Sequence, residues 1–207
     1  MAVIHRAKLR PTKLELLSAW LPEQPWYPGP EGAPLAQLGA YRFDDPAGEV
    51  GVETLLLQVG DDAAVQVPLT YRGEPLVGAE QFLVGTTDHS VLGPRWVYDG
   101  CGDPVYAAVL AEAILAGAPQ AEEFVDVDGE SRRREPTSQV AGTGAGEVPV
   151  LAGEVVVHPG DPTAIVVGEV ELRVRRVIGK PVVGDELLTG TWAGQPEAVP
   201  LAAASRR

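Results

Sequence analysis

The chain has 207 residues, 45% of them hydrophobic and 22% charged, a globular balance in a chain long enough to bury a core without staples. Its formal net charge of −13 repels phosphate backbones and anionic lipid, which argues against nucleic acid and membrane surfaces as partners. The single cysteine, Cys101, allows no intrachain disulfide, and no run reaches the ~20 apolar residues of a membrane span, so a reducing, cytoplasmic setting is expected.

The 24 glycines and 19 prolines predict short elements and many turns. Met1 to Lys13 carries Arg6, Lys8, Arg10 and Lys13, but no apolar run follows, so it is not read as a signal peptide. Leu14 to Leu21 reads as a helix: Leu14, Leu17 and Leu21 fall at helical spacing, Thr12 can cap it, and Pro22 and Pro25 end it. From Ala40 the period changes. Tyr41 and Phe43 alternate with polar neighbours, and Val50 to Val59 is rich in Val and Leu. Gly60-Asp61-Asp62 is a turn, and Ala64 to Tyr71 returns with Val65, Val67, Leu69 and Tyr71 on one face, an antiparallel hairpin. Gln81 to Val84 and Arg95 to Tyr98 read as short strands.

Asp103 to Ala116 is the clearest helix. Asp103 suits the N-cap, Pro104 the first turn, and Gly117 the stop. Glu122 to Gly146 reads as a linker, with Arg132, Arg133 and Arg134 solvated in it and Gly142-Thr143-Gly144-Ala145-Gly146 near its end. Glu154 to His158, Thr163 to Val167 and Val170 to Ile178 form a small antiparallel meander. The chain is therefore expected to be α+β: an antiparallel sheet with two principal helices over 1–125, a linker over 126–147, a small β-meander over 148–194 and a flexible tail over 195–207.

Three segments carry a resemblance. Lys13-Leu14-Glu15-Leu16-Leu17-Ser18-Ala19-Trp20-Leu21-Pro22 with Gln24-Pro25-Trp26-Tyr27, then Val65-Gln66-Val67-Pro68-Leu69-Thr70-Tyr71-Arg72, then Val97-Tyr98-Asp99-Gly100-Cys101-Gly102-Asp103-Pro104 are similar, in that order, to the N-terminal cap of maltokinases. The resemblance spans roughly the first 125 residues. It implies a curved antiparallel sheet with helices packed on it, and a link to maltose, trehalose and α-glucan (glycogen) metabolism. Leu172-Arg173-Val174-Arg175-Arg176-Val177 is similar to the lysine strand of the kinase small lobe, but Leu172 or Arg173 stands where the ATP-contacting lysine would be. Within that resemblance, 148–194 reads as a small-lobe remnant.

Motifs for chemistry each have a plainer alternative. Gly142, Gly144 and Gly146 can cradle a phosphate, but no strand signal precedes them and a flexible linker explains them. His158-Pro159-Gly160-Asp161 resembles the catalytic loop of such phosphotransferases, yet that loop needs an asparagine and the chain has none. A hairpin turn explains Asp161. His5, His89 and His158 lack ligands at metal spacing, and Cys101 reads as a structural thiol. Asp99 and Asp103 can be read as paired carboxylates, or as caps of the helix entry. Trp20, Trp26, Tyr27, Trp96 and Tyr98 are the candidate ligand-binding residues, as an aromatic sugar platform; the alternative is a core in which they fasten helix to sheet.

The expectation is a non-catalytic accessory or interaction protein with no catalytic residue, cofactor or metal, whose partner is a kinase or glucan-metabolising enzyme. A sugar- or metabolite-binding module is the alternative, and a degenerate ATP-dependent sugar kinase the weaker one. A homodimer through an open sheet edge is a further partner expectation.

Overall fold

A computed structural model describes residues 2–4, 8–61, 63–127 and 130–207. Met1, His5, Arg6, Asp62, Asp128 and Gly129, which figure in the readings above, lie outside the described residues. The fold is α+β and mostly strand.

After β1 (Ala2–Ile4) and β2 (Leu9–Arg10), helix α1 (Lys13–Trp20) starts at a capping box. The Thr12 hydroxyl accepts from the Glu15 amide, and the Glu15 carboxylate accepts from the Thr12 amide at 2.7 Å. Pro22 turns the helix into a 3₁₀ turn, Leu21–Glu23. Strands β3 (Leu35–Phe43), β4 (Gly51–Val59), β5 (Ala63–Arg72), β6 (Leu83–His89) and β7 (Gly93–Asp99) follow. With β2 they form an antiparallel six-stranded sheet in the order β2-β6-β7-β5-β4-β3. The hairpin expected at Gly60 is present, with Leu55 opposite Val67 and Gly60 at φ +54. The short strand expected at Gln81 to Val84 is instead a 3₁₀ turn, Glu80–Phe82, opening the longer β6.

Both faces of this sheet are buried where β4 and β5 run through its centre. Val65, Val67 and Leu69 join Leu55, Leu57 and Val59 against Leu17, Trp20, Leu21 and Trp26. On the other face Tyr41, Phe43, Val52 and Leu56 meet helix α2 (Pro104–Leu115). Burial on both sides explains why β4 reads as a near-continuous apolar run.

Helix α2 is roofed by a second antiparallel sheet. Its strands are β10 (Ser138–Gly142), β11 (Val156–His158), β12 (Thr163–Val167), β13 (Val170–Val174), β14 (Glu186–Trp192) and β15 (Gln195–Arg206), in the order β10-β14-β15-β13-β12-β11. This corrects the expected tail. Residues 195–206 are an interior strand, and Leu201, Ala202, Ala203 and Ala204 are buried in it. Alanine has low strand propensity, but its small side chain lets the sheet approach a helix closely. The expected meander, β11 to β13, is one edge of this sheet.

The linker expectation is corrected as well. The arginine run lies on β9 (Glu130–Arg134), which pairs with β8 (Glu123–Val127), itself parallel to β1. Arg133 and Arg134 are exposed and lie 3.3 and 3.9 Å from Glu122 and Glu123. The glycine string closes the C-terminus of α2: Gly144 and Gly146 donate their amides to the Ile114 and Leu115 carbonyls, each at 3.0 Å. A Cβ on Gly142 would stand 1.8 Å from the Ala113 carbonyl oxygen. Gly142→Ala should therefore cost at least about 2 kcal/mol in urea unfolding. Gly146→Ala, whose nearest neighbours would be 3.9 Å away, should stay within about 0.5 kcal/mol of the parent.

Candidate functional site

The segment Val97 to Pro104 carries two aspartates four residues apart, and the structure gives each a full set of partners. Asp99 closes β7 and accepts from the Cys101 amide at 3.2 Å. Asp103 caps α2, accepting from the Val105 amide at 2.9 Å. It also takes Arg72 in a two-pronged pair at 2.6 and 2.7 Å and the Thr70 hydroxyl at 2.7 Å. A carboxylate so occupied orients α2 against β5 and is not placed to abstract a proton.

Beyond Val174 the chain leaves β13, so the strand is shorter than the expected run to Ile178. It crosses to β5: Gln66 donates its amide to the Arg176 carbonyl at 2.8 Å, and Ile178 donates to the Ala64 carbonyl at 2.8 Å. The Gln66 side chain donates to the Arg175 and Leu201 carbonyls at 3.0 Å and accepts from the Tyr41 hydroxyl. Arg175 and Arg176 are each only 1% exposed. Arg176 reaches Asp99 at 2.6 Å and the Thr163 hydroxyl at 2.8 Å, with its guanidinium 4.7 Å from the Trp26 ring centroid. Burial works against its charge, but Asp99, with Cys101 and Tyr106 beside it, outweighs burial and raises its pKa further. Asp161 accepts from the Arg176 amide at 2.8 Å, the Val177 amide at 3.2 Å and the Arg175 guanidinium at 3.2 Å, and Lys180 lies 3.3 Å from it.

A second polar cluster ties α1 to the sheet. Glu53 on β4 accepts from Lys13 and from the Tyr71 hydroxyl at 2.8 Å, with Arg42 at 3.3 Å. Burial raises its pKa, but Lys13 and Arg42 prevail and hold it at about 2.

The five aromatic candidates are not brought together. Trp20 and Trp26 are buried edge to face, ring centroids 6.0 Å apart, on the α1 side of the sheet. Tyr27 packs half-buried beside them. Val97 belongs to the same cluster, so Trp96 and Tyr98, its neighbours on β7, point to the opposite face. Tyr98 is buried there, accepting from the Leu76 amide at 2.8 Å. Trp96 lines a cleft of about 250 Å³, shared with Arg10, Thr86 and Asp88.

The remaining motifs have structural partners. The Cys101 thiol is buried, and burial pushes its pKa well up, so it is held protonated. The Gly144 and Gly146 amides are spent on the end of α2 and do not face an open cradle. Among the described residues no group of three or more His, Cys, Asp or Glu could hold a metal ion. Sequence reasoning missed Arg72 and Arg176 as members of the buried network. The available signal was Arg175-Arg176: two adjacent arginines ending an alternating strand cannot both point outward.

Residues 20–103 match the family model of the maltokinase N-terminal cap domain, less than half of the 207-residue chain. No curated protein matches the chain. Among the described residues no helix is long and apolar enough to cross a membrane.

The Asp99–Arg176 pair is testable by a double-mutant cycle in urea unfolding. Arg176→Met strands a buried carboxylate and should cost about 3–5 kcal/mol. Adding Asp99→Leu should recover part of that loss. Strictly additive costs would refute the coupling.

Proposed function

We propose that this chain, whose residues 20–103 match the maltokinase N-terminal cap domain, is a non-catalytic accessory protein that docks onto a cytoplasmic enzyme of maltose, trehalose or α-glucan metabolism. The observation that carries this reading is that match together with the shape of the matched segment. It opens at Trp20, where α1 meets the sheet, runs through the antiparallel sheet, and ends at Asp103, the cap of α2.

Two features favour an accessory role over phosphoryl transfer. Asp161, the residue closest in pattern to a catalytic aspartate, spends one oxygen on two backbone amides and the Arg175 guanidinium. Arg173, one of two residues at the place of the ATP-contacting lysine, turns to Glu171 at 2.9 Å and the Val183 carbonyl at 2.8 Å. Neither group is poised for Mg²⁺ or a triphosphate. The outer edge of β3 is met by Thr137, whose hydroxyl accepts from the Ala40 amide, and this favours a side-chain docking surface over strand addition.

The reading is tested in two assays. Purified protein incubated with ATP and maltose, trehalose or glucosamine should yield no sugar phosphate above the blank. Turnover that scales with protein and is lost in Asp161→Asn would overturn the non-catalytic role. Cross-linking of the tagged chain in native lysate should recover an enzyme acting on one of those sugars or on α-glucan. Recovery of a second copy of the chain alone would overturn the docking role.

A further inference from the structure

We propose that the cleft beside Trp96 is a binding site for a neutral saccharide, with one sugar ring stacked on the indole. The proposal stands independently of the docking role.

The strand registers assemble the site. Arg10 on β2 lies opposite Asp88 on β6, and Asp88 lies opposite Pro94 on β7, giving one row across three strands. Thr86 lies opposite Trp96, two residues along both strands, so this second row shares the same face. Between the rows, Thr87 is buried, and its hydroxyl donates to the Pro11 carbonyl at 2.7 Å, fixing the segment after β2 against β6. Arg10, Pro11, Thr86, Asp88 and Pro94 are exposed and Trp96 is half-buried, which makes a solvent-open cleft of about 250 Å³ with a firm floor.

The chemistry of the lining selects the ligand class. Trp96, Pro11 and Pro94 are among the lining residues, and an indole and proline rings offer flat, C–H-rich apolar surface that suits the axial C–H face of a pyranose. The Asp88 carboxylate accepts, the Arg10 guanidinium donates in a fork, and the Thr86 hydroxyl does both, which is the set that adjacent sugar hydroxyls need. Arg10 and Asp88 are cross-strand partners of opposite sign, so the lining residues carry no net charge, which favours a neutral ligand over an anion or a metal cation. The volume holds a single sugar ring and leaves the rest of a longer saccharide in solvent. Binding in so open a site should be weak, in about the millimolar range.

The test is a ¹H–¹⁵N NMR titration of the full chain with glucose, galactose, maltose and cellobiose, with glycerol and glucose 6-phosphate alongside. The Trp96 indole and the Thr86 and Asp88 amides should shift and saturate with at least one neutral sugar. Trp96→Ala should weaken binding at least about tenfold, Trp96→Phe less, with the other resonances unmoved. No saturable shift up to about 50 mM sugar overturns the proposal. So do equal shifts with glycerol, tighter binding of the phosphorylated sugar, or shifts centred elsewhere.

Discussion

A guanidinium sealed from water must find its counter-charge inside the protein, because an unpaired buried ion costs several kcal/mol. Arg176 finds it at Asp99, at 2.6 Å, and the two residues belong to different sheets' worth of chain. Asp99 ends the last strand of the first sheet, whereas Arg176 follows the strand that leaves the second. Around that contact Asp161 gathers the amides of Arg176 and Val177, and Trp26 lies along the guanidinium. The pair therefore fixes three things at once: the entry to α2, the crossover onto β5, and the depth of the tryptophan beneath the sheet.

From this constraint the layers follow. Helix α2 is apolar nearly all round because it has a sheet on each side, and its Tyr106, Leu110 and Ile114 share one core with Leu56 and Leu172. Gly142 and Gly144 have no room for a side chain because they run against the last turn of α2. The cap-like segment is thus half of a larger packed unit.

The sequence made the first sheet and its helices legible because each signal was local. Thr12 and Glu15 start α1, Gly60 turns the hairpin, and Asp103 with Pro104 starts α2. The second half was less legible because its determinants are tertiary. Leu201 to Ala204 carry little strand propensity and become a strand through burial against α2. The glycines of 142–146 look like linker until the carbonyls of Ile114 and Leu115 stand opposite them. The aromatic candidates looked like one platform because spacing along the chain does not reveal a sheet face. The alternation about Val97 sends Trp96 and Tyr98 away from Trp20 and Trp26.

The two sheets form one cooperative unit locked at Asp99 and Arg176. Native-state hydrogen exchange in rising urea tests this most directly. The amides of Gln66, Arg175 and Ile178, which bond across or beside the crossover, should open together with those of Leu56 and Leu172, at free energies equal within about 0.5 kcal/mol and with one common urea dependence. Opening of the second sheet at lower free energy and smaller urea dependence, while β4 and β5 stay protected, would contradict it.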